Sequence, residues 1–492
     1  MTGINSEMRQ KIINDLFSGL QADIPSAARK LKVSQVEYDS RKVQNGALFV
    51  AVPGFAVDGH KFVATAERQG AAAAVVQTIV PGVKIPQIVV PESRAALARL
   101  AYNFYSPEIG EIHVLGITGT NGKTTSAFLL RSILQAAGRP CGLIGTVRYE
   151  FAGKKLPAHN TTPEAADICR MLFEMHQNGY RDCVLEVSSH ALSLKRVEAL
   201  SFKVGLFTNL SRDHMDFYRS EEEYFAAKAH LFDLLHKDGS AIVNLDDAHG
   251  MRLNDMLSVR KVSYGFSEKA DIYPLKWDVQ LSGIDLQCIT PGGEMAVHSP
   301  LTGFFNLYNL LGVIGAAHAL NLPAEAIRRG IEEVQAVPGR MQSFKLPNGA
   351  TVFIDYAHTP DALQKALQTL RNVTKKRLIV LFGAGGDRDH GKRPLMGQAA
   401  AGLADWSVVT SDNPRSEDPQ AIIQDIIAGM QETQNRQIIV DRREAIFEAV
   451  RMLKSGDVLL IAGKGHEDYQ VIQGKKYPFD EVKMVHEAAA DV

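Results

Sequence analysis

The chain has 492 residues, 45% hydrophobic and 22% charged, and its 54 Lys and Arg against 55 Asp and Glu leave a net charge of −1. That length implies roughly two to four domains, and the balance excludes the basic excess of a protein built to bind nucleic acid or an anionic membrane. Four widely spaced cysteines, Cys141, Cys169, Cys183 and Cys288, without a C-x-x-C, exclude a disulfide framework and a zinc site and fit buried thiols in a reducing compartment.

The N-terminal stretch MTGINSEMRQKIINDLF is charged throughout and lacks the apolar centre of a signal peptide. No apolar run reaches the roughly 18 residues of a membrane span. A cytoplasmic protein is expected. Residues 1–105 then carry short strand-like runs, GALFVAV, AAAAVV and IPQIVV, punctuated by glycine and proline, which predicts a small α/β domain.

A second block, 106–338, opens with the strand IHVLGIT and passes through GTNGKTT into the helical TTSAFLLRSILQAAG, with Gly138 as a stop. The loop departs from the usual phosphate-loop spelling G-x-x-x-x-G-K-[ST]. Ile117 occupies the place of the first glycine, with Gly116 one position early and Gly119 two late. The order strand, glycine loop, Lys123-Thr124 and helix still suits a phosphate. Gly119 and Gly122 allow the backbone to approach it, the helix N-terminus favours an anion, and Thr124 or Thr125 can offer a hydroxyl to Mg2+.

The next strand, DCVLEV, ends in Glu186, a carboxylate placed to hold Mg2+ or its water, and runs on to Ser188 and His190. The strand KVGLFT leads to the loop NLSRDHMD with Asp213, His214 and Asp216. Such a loop histidine is ordinarily satisfied by local hydrogen bonds, but this one follows a neighbouring strand end. In SEEEYFAAKAHLFDLL, Tyr224, Leu231 and Leu235 share a helix face by spacing, and Lys228 falls on it. Either its stem is buried and its amine reaches water, or the lysine is held inside for a reason.

The third block, 339–492, has four apolar strands, TVFID, RLIVLF, WSVVT and DVLLIA, each running into a polar loop and separated by helical patterns. That alternation predicts a parallel sheet, with ligands beyond the carboxyl ends of its strands. The loops there are YAHTPDA, GAGGDRDHGKRP, SDNPRSEDP and GKGHEDYQ. GAGGDR is not a dinucleotide fingerprint, because Arg388 stands at its last glycine position. The fold class expected is α/β in three domains: the small N-terminal domain, a central P-loop ATPase-like parallel sheet and a C-terminal Rossmann-like domain.

The motifs TGTNGKTT, EVSSH, TNLSRDHMD, AAK, NLYN, PGRMQ, DYAHTPDAL and AGKGHEDYQ, in this order, resemble the Mur ligases, which extend the peptidoglycan precursor with ATP. The family spells its P-loop TGT-x-GKT, so the displaced glycine is ordinary there. The resemblance implies ATP contacts at Gly119, Thr120, Asn121, Gly122, Lys123, Thr124, Thr125, Asn306 and Arg340. It implies a carbamylated Lys228, which with Thr124, Glu186 and His214 would hold or orient Mg2+, and catalytic roles for Lys123, Glu186, His214 and Lys228.

DSRKVQNGALFVAVPGFAVDGHKF is similar to the UDP-sugar-binding domain of the member that adds the third residue. This places Tyr38 and Ser40 by the uridine diphosphate, and Asn160, Thr161, Thr162, Ser188 and Arg196 on a UDP-MurNAc-L-Ala-D-Glu substrate. Leu194 stands where some relatives carry a contacting glutamine. Asp412, Asn413, Pro414 and Arg415, with Arg388, Gly463 and Glu467, match contacts to meso-diaminopimelate. By itself Asn-Pro is a turn signal, but an arginine fork suits the second carboxylate that diaminopimelate has and lysine lacks.

Alternatives of the same chemistry are an L-lysine-adding enzyme and a folylpolyglutamate synthase-like ligase; a P-loop switch without ligase activity would leave Lys228 and the four C-terminal loops unexplained. A monomer with small-molecule partners and neither nucleic acid nor membrane span is expected.

Overall fold

In the computed structural model the described residues are 9–490, except 55, 56, 212, 216 and 431–434, so Asp216 lies outside them. The chain divides into two compact units, Met1–Tyr273 with Leu311–Ile327, and Pro274–Leu310 with Arg328–Val492.

The first unit holds two main sheets. Strands β1 (Gln35–Glu37), β2 (Ala47–Val50), β3 (Ala73–Val76) and β4 (Gln87–Val89) lie side by side in that order, all parallel. The larger sheet is built from β5 (His113–Thr118), β6 (Cys141–Ile144), β7 (Arg148–Phe151), β8 (Lys154–Pro157), β9 (Asp182–Glu186), β10 (Phe202–Phe207), β11 (Leu235–Asn244) and β12 (Arg260–Tyr264). Its order is β8-β7-β6-β9-β5-β10-β11-β12, parallel except for β7 and β8, an antiparallel edge that the sequence did not suggest.

Strand β5 is buried beyond its first residue, which is why HVLGIT reads as a nearly continuous apolar run. It sits between β9 and β10, so the segments that follow these three strands leave the sheet side by side at its carboxyl edge. Gly116 in β5 is a packing glycine. A Cβ there would lie 2.7 Å from the Phe202 ring and 3.0 Å from Leu231 Cδ1. Its position in the strand, one place too early for a standard P-loop, is thus set by side chains that lean on the backbone.

The helix Lys123–Ala136 begins directly after Gly122, with φ +86°, and is closed by Gly138, with φ +74°. The helix Glu221–Asp233 buries Tyr224, Lys228 and Leu231 together, as the spacing implies. Leu235 departs from that expectation: the helix stops at Asp233, and Leu235 opens β11. The four cysteines are buried free thiols, and burial pushes Cys141 and Cys169 up to about 12.

The second unit contains a three-stranded sheet of β13 (Tyr273–Gln280), β14 (Gly283–Thr290) and β15 (Gly293–Ser299), with β14 and β15 antiparallel, also unanticipated. Its main sheet comprises β16 (Gln342–Lys345), β17 (Thr351–Asp355), β18 (Leu378–Phe382), β19 (Trp406–Val409), β20 (Arg436–Ile438) and β21 (Val458–Ala462). The order is β16-β17-β21-β18-β19-β20, with only β16 antiparallel. The four predicted strands are the four central ones. Alternate residues split between two cores: Phe353, Val380 and Leu460 pack on one face, and Ile354, Leu381 and Ile461 on the other. Among the described residues no helix is long and apolar enough to cross a membrane.

One buried ion pair ties this sheet's carboxyl edge together. Arg442 Nε donates to Glu481 Oε1 at 2.7 Å, while Nη1 and Nη2 donate to the carbonyls of Ser411 and Ala462 at 3.3 and 2.9 Å. Both side chains are almost wholly buried. Removing one partner of such a pair strands the other, at about 3–5 kcal/mol. Arg442→Met is expected to lose that much stability in urea denaturation, and Arg442→Met with Glu481→Leu to recover most of it. Equal midpoints for Arg442→Met and the parent would show that the pair contributes nothing.

Candidate active site

The loop after β5 is held from beside by the end of β10. Thr208 Oγ1 donates to Asn121 O at 2.6 Å, Thr120 N to Asn209 O at 2.8 Å, and Asn121 N to Asn209 Oδ1 at 3.1 Å. Gly119, with φ +144°, is required there, since a Cβ would lie 1.9 Å from Thr208 Oγ1. Lys123 Nζ donates to Gly119 O at 2.7 Å and Thr120 O at 2.9 Å. Lys228 Nζ reaches the same Gly119 carbonyl at 2.9 Å and lies 4.5 Å from the centre of the Tyr224 ring.

Lys228 is 1% exposed. Burial first, and then the neighbouring Lys123 charge, hold its pKa well below the ordinary lysine value. The lysine is therefore held inside, and its amine does not reach out to water. Thr120 Oγ1 lies 3.2 Å from the Tyr224 hydroxyl, which joins the helix Glu221–Asp233 to the loop a second time.

Glu186, at the end of β9, is fully buried. Its Oε2 accepts from Thr124 Oγ1 and Thr146 Oγ1, both at 2.9 Å, and its Oε1 accepts from Thr146 N at 3.0 Å. Thr125 is also buried in the first helical turn. The hydroxyls and carboxylate form an oxygen donor set, which suits a hard cation such as Mg2+. His214 stands farther along the same edge, with φ +55°; its ring centre is 4.7 Å from that of His190 and 6.1 Å from that of Tyr224.

Of the residues expected to meet a UDP-linked peptide, Thr161, Thr162, Ser188 and Arg196 are hydrogen-bonded into one cluster around Glu186. Thr162 Oγ1 donates to Glu186 O at 2.8 Å and accepts from Ser188 N at 3.0 Å. Arg196 Nη1 donates to Thr162 O at 2.9 Å, and its Nε lies 2.9 Å from Glu164 Oε1. Thr161 Oγ1 is 3.1 Å from Thr146 Oγ1, and Tyr149 OH donates to Asn160 O at 2.7 Å. Tyr38 joins this region through Asp167, to which its hydroxyl donates at 2.7 Å. Ser40 is buried in the short turn Ser40–Lys42 that follows Asp39.

In the second unit Asn306 Nδ2 donates to Thr302 O at 2.7 Å and Arg340 lies 5.0 Å over the Tyr356 ring. His466 stacks against Tyr356, and burial and the Arg340 charge push it down to about 4. The loops after β18, β19 and β21 interlock. Arg415 Nη1 donates to Gly386 O at 2.6 Å, and a Cβ at Gly386 would lie 2.0 Å from Pro414 O. Asp412 and Asn413 are buried, and Asn413 Nδ2 donates to Glu467 Oε2 at 3.0 Å. Gly463, with φ +124°, lies against Asp412, where a Cβ would come 2.3 Å from Oδ2. Arg388 is exposed on the loop that carries Gly386.

Three segments match family models: residues 32–105 the Mur ligase family catalytic domain, 117–317 the Mur ligase middle domain, and 339–465 the Mur ligase glutamate ligase domain. The UDP-N-acetylmuramoyl-L-alanyl-D-glutamate--2,6-diaminopimelate ligase of Geobacter metallireducens is 41% identical, covering 95% of this chain and 96% of its own. The chain belongs to the Mur ligase family. The ligase of the same name from Gloeobacter violaceus is 44% identical over 93% of this chain and 94% of its own. A solved structure of a UDP-N-acetylmuramoyl-L-alanyl-D-glutamate--2,6-diaminopimelate ligase superposes with a TM-score of 0.71 at 33% identity, covering 95% and 97% of the two chains.

Three residues of this Mur ligase carry site geometry although no role was assigned to them from the sequence, Lys464 even though it lies within AGKGHEDYQ. Thr146 bridges Glu186 to Thr161, Tyr149 holds Asn160, and Lys464 joins Asn413. The glycine before Thr146 offered a signal. A Cβ on Gly145 would lie 2.2 Å from Glu186 Oε1, so a bare backbone is what lets the carboxylate reach Thr146 N. Gly145→Ala is expected to destabilise the fold by about 1–3 kcal/mol, the cost of displacing a buried acceptor from its donors. Thermal and urea unfolding measure it, and an unchanged stability would show that Glu186 has room to move.

Proposed function

We propose that the chain is a cytoplasmic, monomeric, ATP- and Mg2+-dependent ligase that joins meso-2,6-diaminopimelate to UDP-N-acetylmuramoyl-L-alanyl-D-glutamate in peptidoglycan precursor synthesis. Residues 1–105 would hold the UDP end, 106–338 the ATP and 339–492 the incoming amino acid. The observation that carries the reading is the meeting of Lys123 and Lys228 on the Gly119 carbonyl, beside a buried Glu186.

A carboxylate does not form an amide with an amine at neutral pH until it is activated. Transfer of the γ-phosphoryl group of ATP to the D-glutamyl carboxylate gives an acyl phosphate and ADP. The amine nitrogen then adds to the acyl carbon, and the tetrahedral intermediate expels phosphate and loses a proton. Such chemistry asks for positioning and charge neutralisation. Lys123 and the helix N-terminus neutralise the phosphates. Asn160, Thr161, Thr162, Ser188 and Arg196 position the D-glutamyl carboxylate, the phosphoryl acceptor, next to Glu186. Thr124, Glu186, His214 and a carbamylated Lys228 are the residues that would hold Mg2+, which would supply further neutralisation of the phosphoryl charge.

A depressed lysine pKa favours the neutral amine over the ammonium, and the neutral amine is the form that adds to CO2, giving a carbamate and a proton. As pH falls through the depressed value the amine protonates and the carbamate is lost. The enzyme equilibrated with 13C-bicarbonate is therefore expected to show one carbamate carbon by NMR that Lys228→Met lacks. Activity after CO2 removal should fall more steeply at lower pH and return on adding bicarbonate. Full activity with no carbamate signal would rule out the modification.

Arg415 is the residue assigned to the distal carboxylate of diaminopimelate, with Arg388 on the adjacent loop. Truncating one partner of a buried charge pair costs about 2–5 kcal/mol. Arg415→Ala is expected to lower kcat/KM for meso-diaminopimelate roughly 30- to several-thousand-fold, and that for L-lysine much less. The ligation assay, with purified UDP-MurNAc-L-Ala-D-Glu and ATP, tests the function and this assignment together. Parent enzyme that favours L-lysine would refute the choice of amine. Equal losses for both amines in the variant would reduce Arg415 to a loop-shaping role.

A further inference from the structure

Lys464 is a buried charge that the mechanism above leaves unused. It sits in the loop after β21, fully enclosed, between Gly463 and Gly465. Its Nζ donates to Asn413 Oδ1 at 3.0 Å and lies 3.6 Å from Glu467 Oε2 and 3.8 Å from Asp412 Oδ1. Arg442 and Glu481 act on it from the starts of two helices, Arg442–Arg451 and Glu481–Ala490, and the rings of Tyr469 and Phe479 stand 5.9 and 5.8 Å away. Burial pulls its pKa down, and the Asp412 and Glu467 carboxylates oppose that.

The geometry makes Asn413 a hinge between two loops. Its Oδ1 accepts from Lys464 Nζ and from Val471 N at 2.9 Å, while its Nδ2 donates to Glu467 Oε2 at 3.0 Å. An amide whose oxygen faces an ammonium cannot turn over without setting its NH2 group against that charge. Lys464 and the Val471 N–H together fix which end of Asn413 faces Glu467, and Lys464 also pulls on the same Glu467 oxygen.

We propose that Lys464 is a positioning residue for the amine substrate, locking Asn413 and Glu467 into one preformed site that receives the ammonium and carboxylate of the incoming amino acid. This rests on the ligase reading above. A pre-set carboxylate lowers the cost of binding, because its side chain is already ordered before the ligand arrives.

The test is a double-mutant cycle of Lys464→Met and Glu467→Gln in the full-length enzyme, with KM and kcat for meso-diaminopimelate measured at saturating ATP and UDP-MurNAc-L-Ala-D-Glu. Lys464→Met is expected to raise KM for diaminopimelate about 10- to 100-fold, with kcat falling less and KM for ATP and for the UDP-substrate staying within about twofold. In the Glu467→Gln background the same substitution should cost less than about threefold, because its route of action is already gone. Additive losses, or KM values for all three substrates rising together, would overturn the proposal. If Lys464→Met does not fold, Lys464→Gln, which keeps an N–H donor, is read through the same cycle; failure of both to fold would make Lys464 a structural ion and also overturn it. Parent enzyme with no ligation of diaminopimelate would instead refute the ligase reading itself.

Discussion

Two lysine amines on one carbonyl is an arrangement that a protein interior resists. Lys123 and Lys228 both donate to Gly119 O, and each would bear a positive charge in water. Burial and the Lys123 charge together disfavour the ammonium form of Lys228. The chain accepts this cost in a place where the glycine loop after β5, the strand-end carboxylate and the helix Glu221–Asp233 meet. A carbamate would turn the repulsion into an attraction, since the second cation would become an oxygen anion beside the first. The surrounding sheet can be understood as the scaffold that brings this pair together: β5 delivers the loop, β10 clamps it, and β9 sets Glu186 alongside.

That scaffold depends on missing side chains as much as on present ones. Gly116 gives way to Phe202 and Leu231, Gly119 to Thr208, and Gly145 to Glu186. Each lets a neighbouring element approach the backbone to within a distance that one methyl group would block. The central site is therefore close-packed down to its loops. Glu186 alone takes three hydrogen bonds from Thr124 and Thr146.

Much of this was legible in the sequence. The parallel strands of the second unit announced themselves as short apolar runs, because both faces of each are buried. Lys228 stood out because a charged residue occupied an apolar helix position. The antiparallel edge β7–β8 and the sheet β13–β15 were not read, since their exposed alternation resembles loop sequence more than core. Thr146 and Lys464 were hidden for a different reason. Their importance comes from partners 40 and 51 residues away, Glu186 and Asn413, and no local pattern records such a pairing. The register by which Tyr38 meets Asp167 across 129 residues was hidden in the same way.

Arg415 has a left-handed backbone, with φ +53°, and it is spliced into the hairpin of Tyr469–Ile472 and Lys475–Pro478: its N–H donates to Val471 O and its carbonyl accepts from Gln473 N. For a residue with a Cβ that conformation is costly, on the order of 1–2 kcal/mol, and it is worst for β-branched side chains. A lineage or a library that varies this position is thus filtered by the backbone before any ligand is consulted. The replacements that fit best, Gly, Asn and Asp, are all too short to span the gap to Gly386 or to carry its cation. A new charge pattern at this edge of the sheet is then more accessible through insertions in the hairpin, or through a charge borrowed from the loop of Arg388, than through a single codon at 415.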